Sequence, residues 1–316
     1  MQHRIKQATT IAAAVASSLA LTAGTPGTGA AATPLVGIGD NAPEMFADPH
    51  YLELKTKISR KIVAYDFYHH ADERFEFKRW MDAAELAGVR PLIAFSASIR
   101  SPRRLPTTGA FRKSFDYVRK NYPKVRDFSV WNEANHRSQP TRDNPKRAAQ
   151  YFNSVRTRCA SCKIVAADVL DQSNMLTWIA TFKRYAKKPK IWGLHSYTDA
   201  NRNRSWKRST SKRFVDAVSG EVWLTEVGGI VSLQSVYRYN ERRAAQGLRN
   251  TLRYVLADRK IKRAYIYSWY GTKQPKSRRS YKWDSGLLSW NGAEVRPGFY
   301  ALRSWLKGHP KAIQSP

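Results

Sequence analysis

The order of apolar and helical segments constrains this chain more than any other feature. Between residues 35 and 307, eight short apolar runs alternate with eight stretches that carry apolar residues at helical spacing. Such alternation is typical of parallel strands joined by helical crossovers, because each crossover helix packs back onto the sheet. Eight units match the strand count and length of a (β/α)8 TIM barrel. We therefore predict an α/β fold in which residues 33–316 form one domain, a (β/α)8 TIM barrel.

The segment boundaries follow from the apolar runs and from the glycines and prolines between them. The predicted strands are 35–40, 61–67, 91–97, 128–131, 164–170, 191–197, 221–227 and 264–269. The predicted helices are 47–58, 75–87, 109–121, 144–158, 174–187, 211–218, 233–258 and 297–307. A doubly wound open sheet is the alternative. Its dinucleotide-binding form needs a Gly-rich turn after the first strand, and Gly37 and Gly39 lie too early and lack a third glycine. No cofactor is predicted.

The N-terminal 32 residues have the pattern of a processing segment. Arg4 and Lys6 precede an apolar, alanine-rich stretch at 11–23, and the small residues 30–32 fit a cleavage site. We interpret 1–32 as a secretory signal peptide and expect a secreted protein with no membrane span after its removal. A membrane anchor is the alternative, which the shortness of the apolar stretch disfavours.

Cys159 and Cys162 are the only cysteines of the chain. A zinc site needs about four ligands, and no second cysteine pair or histidine cluster accompanies them. In an oxidising compartment a local disulfide is the favoured state, and it would pin the end of a helix before the next strand. His69 and His70 also lack a third ligand at a usable spacing, so we predict no metal site.

Polar residues cluster where the predicted strands end, at the edge where TIM barrels carry their active sites. The candidates, in strand order, are Asp40, Asp66, Asn132, Glu133, Asp168, His195, Tyr197, Glu226 and Trp269. Glu133 follows the fourth strand and Glu226 lies on the seventh. The predicted barrel therefore places two carboxyl groups across its mouth from one another.

These motifs resemble those of clan A glycoside hydrolases, a superfamily whose catalytic glutamates follow strands four and seven. The likeness is carried by Trp131-Asn132-Glu133-Ala134-Asn135, Trp223-Leu224-Thr225-Glu226-Val227-Gly228, Leu194-His195-Ser196-Tyr197, Tyr267-Ser268-Trp269, and Asp284-Ser285-Gly286-Leu287-Leu288 followed by Arg296-Pro297. It implies that 33–316 is a catalytic domain, with Glu226 as nucleophile and Glu133 as acid/base. Many members have an arginine on strand two and a proline after the acid; here we expect Asp66 and Ala134 instead.

The resemblance also implies roles for the neighbouring side chains. Asn132 would donate to the sugar 2-hydroxyl, Tyr197 beside His195 would hydrogen-bond Glu226, and Trp269 would offer a flat face to the sugar. Asp66 is a further candidate for substrate contact. Structural explanations stay open. Asn132 would then cap a turn, the aromatic residues and His195 would be core, and Asp40, Asp66 and Asp168 would tie loops together.

A retaining mechanism explains why two carboxyl groups are needed. The groups must lie roughly 5–5.5 Å apart, one ionised and the other protonated. We expect the pKa of Glu133 to be raised by its neighbour's charge and by partial burial. The predicted protein is a secreted retaining glycoside hydrolase that cleaves β-glycosidic bonds of an oligo- or polysaccharide by double displacement. The alternative is a non-catalytic carbohydrate-binding or cell-wall-binding barrel, which would be expected to lose one glutamate.

The charge balance suggests what the protein binds. Lysine and arginine number 55 against 24 acidic residues, a net charge of +31. Basic residues crowd the predicted rim at Arg100, Arg103, Arg104, Arg137, Arg142, Lys146, Arg202, Arg204, Lys207, Arg208, Lys273, Lys276, Arg278, Arg279 and Lys282. Such a field favours an acidic glycan as substrate or retention on an anionic cell wall. Nothing in the sequence reads nucleic-acid bases, and we expect a monomer.

Overall fold

Eight parallel strands close into a barrel in the order β1 to β8. The computed structural model describes residues 33–234, 236–277, 280 and 282–316; the predicted signal peptide lies outside them, as do Arg278 and Arg279. The strands are β1 (Leu35–Gly39), β2 (Ile58–Ala64), β3 (Arg90–Ser96), β4 (Asp127–Ser129), β5 (Lys163–Leu170), β6 (Ile191–His195), β7 (Glu221–Val227) and β8 (Ile261–Tyr267). The predicted (β/α)8 barrel is confirmed.

Helices connect the strands and form the outer layer. They are α1 (Pro49–Leu54), α2 (Ala71–Leu86), α3 (Thr108–Asn121), α4 (Pro145–Val155), α5 (Met175–Tyr185), α6 (Thr198–Asn201), α7 (Thr210–Ala217), α8 (Glu241–Val255) and α9 (Pro297–Gly308). Helix α2 begins four residues before its predicted start, the short α6 was not predicted, and α1 and α8 are shorter than predicted. Helix α1 ends early because Lys55 takes a left-handed conformation, with φ of 55°. Helix α8 begins at Glu241 because the Asn240 side chain caps it. No helix in the described ranges is both long and apolar enough to cross a bilayer.

Strand β2 begins three residues earlier than predicted. It pairs with β3 in a continuous register from Ile58 opposite Arg90 to Ala64 opposite Ser96. Arg60 and Lys61 interrupt the apolar run, so the sequence pattern placed the start of the strand at the second charge. The true register puts Arg60 inside the strand, which changes the composition of the site described below.

The amino end of the barrel is filled by packed side chains. One apolar cluster has a residue from each of six strands, namely Ile58, Leu92, Val165, Ile191, Trp223 and Tyr265. Beside it the buried carboxylate of Asp127 accepts hydrogen bonds from Arg90 and Arg263. The Arg263 guanidinium lies 3.9 Å from the ring centroid of Trp223. This end of the barrel is therefore closed by apolar packing and a compensated ion cluster.

The two cysteines form a disulfide between the end of α4 and the start of β5. The Cα atoms of Cys159 and Cys162 lie 5.3 Å apart, and the S–S distance is 2.09 Å. The predicted pairing is confirmed. The bridge precedes the first residue of β5, so it lies at the opposite end of that strand from its polar carboxyl end.

Candidate active site

Arg60 of β2 lies at the centre of the charged cluster at the carboxyl end of the barrel. Its Nη1 donates to Glu226 Oε2 at 2.9 Å. Its Nη2 donates to Asn132 Oδ1 at 2.5 Å and to Asp168 Oδ2 at 3.0 Å. The expectation that strand two lacks an arginine near the nucleophile is wrong, because β2 begins earlier than its apolar pattern indicates. Arg60 is 1% exposed, and the ion pairs with its carboxylate partners offset the free-energy cost of burying its charge.

Asp66 does not take part in this cluster. It follows β2 and starts the short 3-10 helix Phe67–His69, where its carboxylate lies 3.7 Å from His70 Nε2. It is not among the residues that line the cleft. Asp66 therefore lies outside the lining of this cleft, because β2 ends at Ala64 and Asp66 begins the next short helix; its contact with substrate stays a prediction.

Glu226 on β7 is held on both carboxylate oxygens. Arg60 donates to Oε2, and the Tyr197 hydroxyl donates to Oε1 at 3.0 Å. Burial and the charge of Glu226 raise the pKa of Tyr197 far above its ordinary value, so this hydroxyl keeps its proton. The result is a buried carboxylate whose orientation is fixed by two donors from two other strands.

Glu133 follows β4 with a backbone conformation that few side chains adopt. Its φ is 46°, in the left-handed region that costs a non-glycine residue free energy. Its Oε1 lies 3.4 Å from His195 Nδ1, and its Oε2 lies 3.7 Å from His136 Nδ1. The strained turn directs the carboxyl group towards these two imidazoles and the cleft.

The pKa of Glu133 is shifted in the direction opposite to the one we expected. Burial alone would raise it, but the hydrogen bond with His195 and the positive charges of His195, His136 and Arg60 outweigh burial. The pKa of Glu133 therefore lies below its ordinary value. The expectation of a raised pKa considered the opposing carboxylate and partial burial, and missed the cations Arg60, His136 and His195 at the same point.

His195, at the end of β6, is fully buried among carboxylates. Its Nε2 lies 3.7 Å from Asp168 Oδ2, and its Nδ1 lies 3.8 Å from Glu226 Oε2. Burial lowers the pKa of His195, but the charge of Glu226 and the hydrogen bonds with Asp168 and Glu133 raise it to about 9. The raised pKa favours the protonated imidazole, while the Arg60 guanidinium, 3.3 Å from Nε2, opposes that charge.

Asp168 supports His195 from inside the barrel. Its Oδ1 accepts a hydrogen bond from Thr225 Oγ1 at 2.9 Å, and its Oδ2 accepts one from Arg60. Burial alone would raise the pKa of Asp168, but His195 and Arg60 hold it below its ordinary value. Gly193 leaves room for this group, because a Cβ there would lie 1.9 Å from Asp168 Oδ1.

The two glutamates come close together. One oxygen of Glu133, one oxygen of Glu226 and a ring nitrogen of His195 all lie within 4.8 Å of one another. Such a trio is also compatible in its spacing with a metal ion. Arg60 already pairs with the Glu226 carboxylate at 2.9 Å, which leaves less negative charge for a cation at this point.

Trp269 does not face the cleft. It is fully buried, with its indole Nε1 donating to Asp48 Oδ2 at 3.2 Å and its ring edge-to-face with Tyr51. Its backbone N–H donates to Asp40 Oδ2. The prediction that Trp269 stacks under the sugar is wrong, because these contacts turn the indole into the layer between barrel and helices.

Two other aromatic residues line the cleft instead. Tyr267 ends β8, and Trp283 packs edge-to-face on Tyr197 with ring centroids 4.6 Å apart. The cleft measures about 710 Å³ and is walled mainly by the loops after β4 to β8, with Asn132, Glu133 and Glu226 at its floor. Because Arg60 occupies Asn132 Oδ1, the amide nitrogen of Asn132 is the group left to donate to a ligand.

A family model described as the glycosyl hydrolase catalytic core matches residues 110–298. The chain belongs to this family. The matched region contains both glutamates of the hydrolase, together with Asp168, His195 and Tyr197. No curated protein sequence matches the chain.

Solved structures share the fold of this hydrolase at low sequence identity. A GH5_18 protein from Streptomyces cattleya in complex with GlcNAc has a TM-score of 0.60 at 14% identity, over 91% of this chain and 83% of that one. The Penicillium canescens endo-1,4-beta-xylanase XylE has a TM-score of 0.60 at 13% identity, over 90% of this chain and 97% of that one. Xylanase 10B from Thermotoga maritima has a TM-score of 0.61 at 12% identity, over 87% of this chain and 95% of that one. These similarities support the barrel assignment.

Proposed function

We propose that this hydrolase cleaves β-glycosidic bonds with retention of configuration, Glu226 acting as nucleophile and Glu133 as acid/base. The observation that carries the proposal is the spacing of the pair, whose nearest oxygens lie within 4.8 Å. Retaining enzymes hold their carboxyl groups roughly 5–5.5 Å apart, whereas inverting enzymes leave roughly 6.5–9.5 Å for a water molecule. The cleft above the pair is large enough for several sugar units.

In the first step a Glu226 oxygen bonds to the anomeric carbon while the glycosidic C–O bond breaks. Arg60 and Tyr197 hold the carboxylate in one orientation, which saves the entropy of positioning it. The departing oxygen takes a proton from Glu133. In the second step water attacks the same carbon and gives its proton to Glu133, and the bond to Glu226 breaks.

The proton for the leaving group is shared between Glu133 and His195. The pKa of Glu133 is lowered and that of His195 is raised to about 9, and the two groups lie 3.4 Å apart, which supports one proton shared across this contact. Attack by Glu226 removes a negative charge that raises the pKa of His195. The proton then moves through the 3.4 Å contact to Glu133 as Glu133 protonates the leaving oxygen.

Export from the cell is the second part of the proposal. The disulfide between Cys159 and Cys162 supports it, because such bridges persist in oxidising compartments. A tagged full-length protein recovered in the medium, with the bridge intact and the mature chain starting near residue 33, would agree. Recovery of the uncleaved, reduced chain inside the cell would contradict this part alone.

The stereochemistry of the first product tests the mechanism. Proton NMR during hydrolysis of an aryl β-glycoside shows which anomer forms before mutarotation. We expect the β-anomer, as double displacement requires. An α-anomer as the first product would rule out Glu226 as a covalent nucleophile.

A further inference from the structure

Two arginines of the cleft, Arg137 and Arg202, are exposed and carry charges that the described residues do not neutralise. Both side chains line the same cavity as the two glutamates. Neither lies within ion-pair distance of a carboxylate in the described ranges. Other arginines of the rim do have such partners, including Arg142 with Asp143 and Arg204 with Asp199. Arg137 and Arg202 are therefore free to bind a ligand.

The acidic residues of the cleft are already engaged elsewhere. Glu226 accepts from Arg60, and Glu133 faces two imidazoles. Asp171, the third acidic residue of the lining, accepts hydrogen bonds from the backbone N–H and the hydroxyl of Thr198. Burial raises the pKa of Asp171 to about 7, so this group carries only part of a negative charge at neutral pH. The cleft is left with an excess of positive charge.

Arg137 lies in the same loop as the proposed proton donor, Glu133. Arg137 directly follows His136, whose ring lies 3.7 Å from the Glu133 carboxylate. The proton donor must approach the departing oxygen, so we place the leaving sugar beside the loop after β4, which carries both Glu133 and Arg137. Arg202 lines the cavity from the loop after β6, and residues 170–172 at the end of β5 line it as well.

We propose that Arg137 and Arg202 bind a carboxylate or sulfate of an acidic glycan, on the leaving-group side of the scissile bond. The inference rests on the proposed glycosidase function, of which it names the substrate class. A planar guanidinium pairs with both oxygens of such an anion, which a neutral sugar cannot match. The net charge of +31 adds a field that attracts a polyanion towards the cleft.

Binding measurements test the proposal without depending on turnover. Full-chain protein carrying Glu133→Gln is titrated calorimetrically with a glucuronate–N-acetylglucosamine tetrasaccharide and with its carboxyl-reduced form. A second arm uses a sulfated tetrasaccharide and its desulfated form, which distinguishes the two anions. We expect at least one acidic form to bind about tenfold more tightly than its neutral counterpart, and Arg137→Ala with Arg202→Ala to abolish that preference.

A charge-matched control separates a site from a general field. Arg156 and Arg249 are exposed residues at the end of α4 and on α8, outside the cleft lining. Replacing both with alanine removes the same charge and should leave the preference intact. Equal preference for acidic and neutral glycans in the parent protein, or equal loss in the control, overturns the inference. Hydrolysis of neutral aryl glycosides is scored separately, so that the proposed function stands or falls on its own.

Discussion

Each end of the barrel holds a cluster of arginine and carboxylate side chains. At the carboxyl end glutamates line the larger cleft, whereas the amino-end carboxylate, Asp127, is fully buried. At the amino end Asp127 lies between Arg90 and Arg263, against packed apolar residues. At the carboxyl end Arg60 bonds Glu226 and Asp168 below a cavity of about 710 Å³. The same interaction thus occurs twice, once around a fully buried carboxylate and once beside space for a substrate.

Similar charged groups can therefore serve stability where they are buried and chemistry where a ligand can reach them. The buried cluster at the amino end affects mainly the stability of the fold. Removing one partner would leave a lone buried charge, which is strongly unfavourable. An open cluster can exchange partners with a ligand and can move protons. The strained backbone of Glu133 lies at the open end, where a precise side-chain position is needed for chemistry.

Substitution of Glu226 at the open end should have the largest effect on activity. Glu226→Gln keeps the shape of the side chain but removes the nucleophile, so we expect kcat to fall by roughly four to six orders of magnitude while the fold persists. Initial rates on an activated aryl glycoside, with circular dichroism as a check of folding, measure this. Near-normal turnover would remove Glu226 from the mechanism.

The corresponding substitution at the amino end should lower the free energy of unfolding rather than the rate of turnover. Asp127→Ala leaves Arg263 buried without its carboxylate, so we expect a loss of about 3–5 kcal/mol in the free energy of unfolding. The kcat per folded molecule should stay within about twofold of the parent value. Urea denaturation measures the stability, and active-site titration gives kcat per folded molecule. Unchanged stability with a large loss of kcat would mean that the two clusters do not differ in role.

The pH dependence tests the shared proton at the open end. If the Glu133–His195 pair holds the proton, kcat/KM should fall on the alkaline side near pH 9, where His195 loses its charge. His195→Gln leaves the proton to Glu133 alone, so the alkaline limb should move to lower pH. If Glu133 acted alone, removing a neighbouring cation would raise its pKa, and the limb would move to higher pH.

The smallest effect is expected for the disulfide near the amino end. Because Cys159 and Cys162 are only three residues apart, the bridge closes a short loop and should contribute about 1–2 kcal/mol. Replacing both cysteines with serine should lower Tm slightly and leave kcat unchanged. A loss of activity without a change in Tm would connect this end of the barrel to the chemistry.

The barrel follows from the periodicity of the sequence, whereas the glutamate pair and the hydrogen bond of Tyr197 follow from the resemblance of short motifs to clan A glycoside hydrolases. Arg60 was missed because two adjacent charges concealed the start of β2. Trp269 was misplaced because the contacts that bury it come from Asp40 and Asp48, more than 200 positions away. The pKa direction of Glu133 likewise depends on His195, whose proximity only the closed barrel creates.

The central claim, that the open cluster presents Glu226 as a covalent nucleophile, is tested most directly by trapping the intermediate. The protein is first screened on aryl β-glycosides, and the matching 2-deoxy-2-fluoro glycoside with a good leaving group is then added. Intact-protein mass spectrometry followed by peptide mapping should show one sugar attached to Glu226, and none in Glu226→Gln. Turnover of the aryl glycoside without any adduct, or an adduct on another residue, would contradict the account.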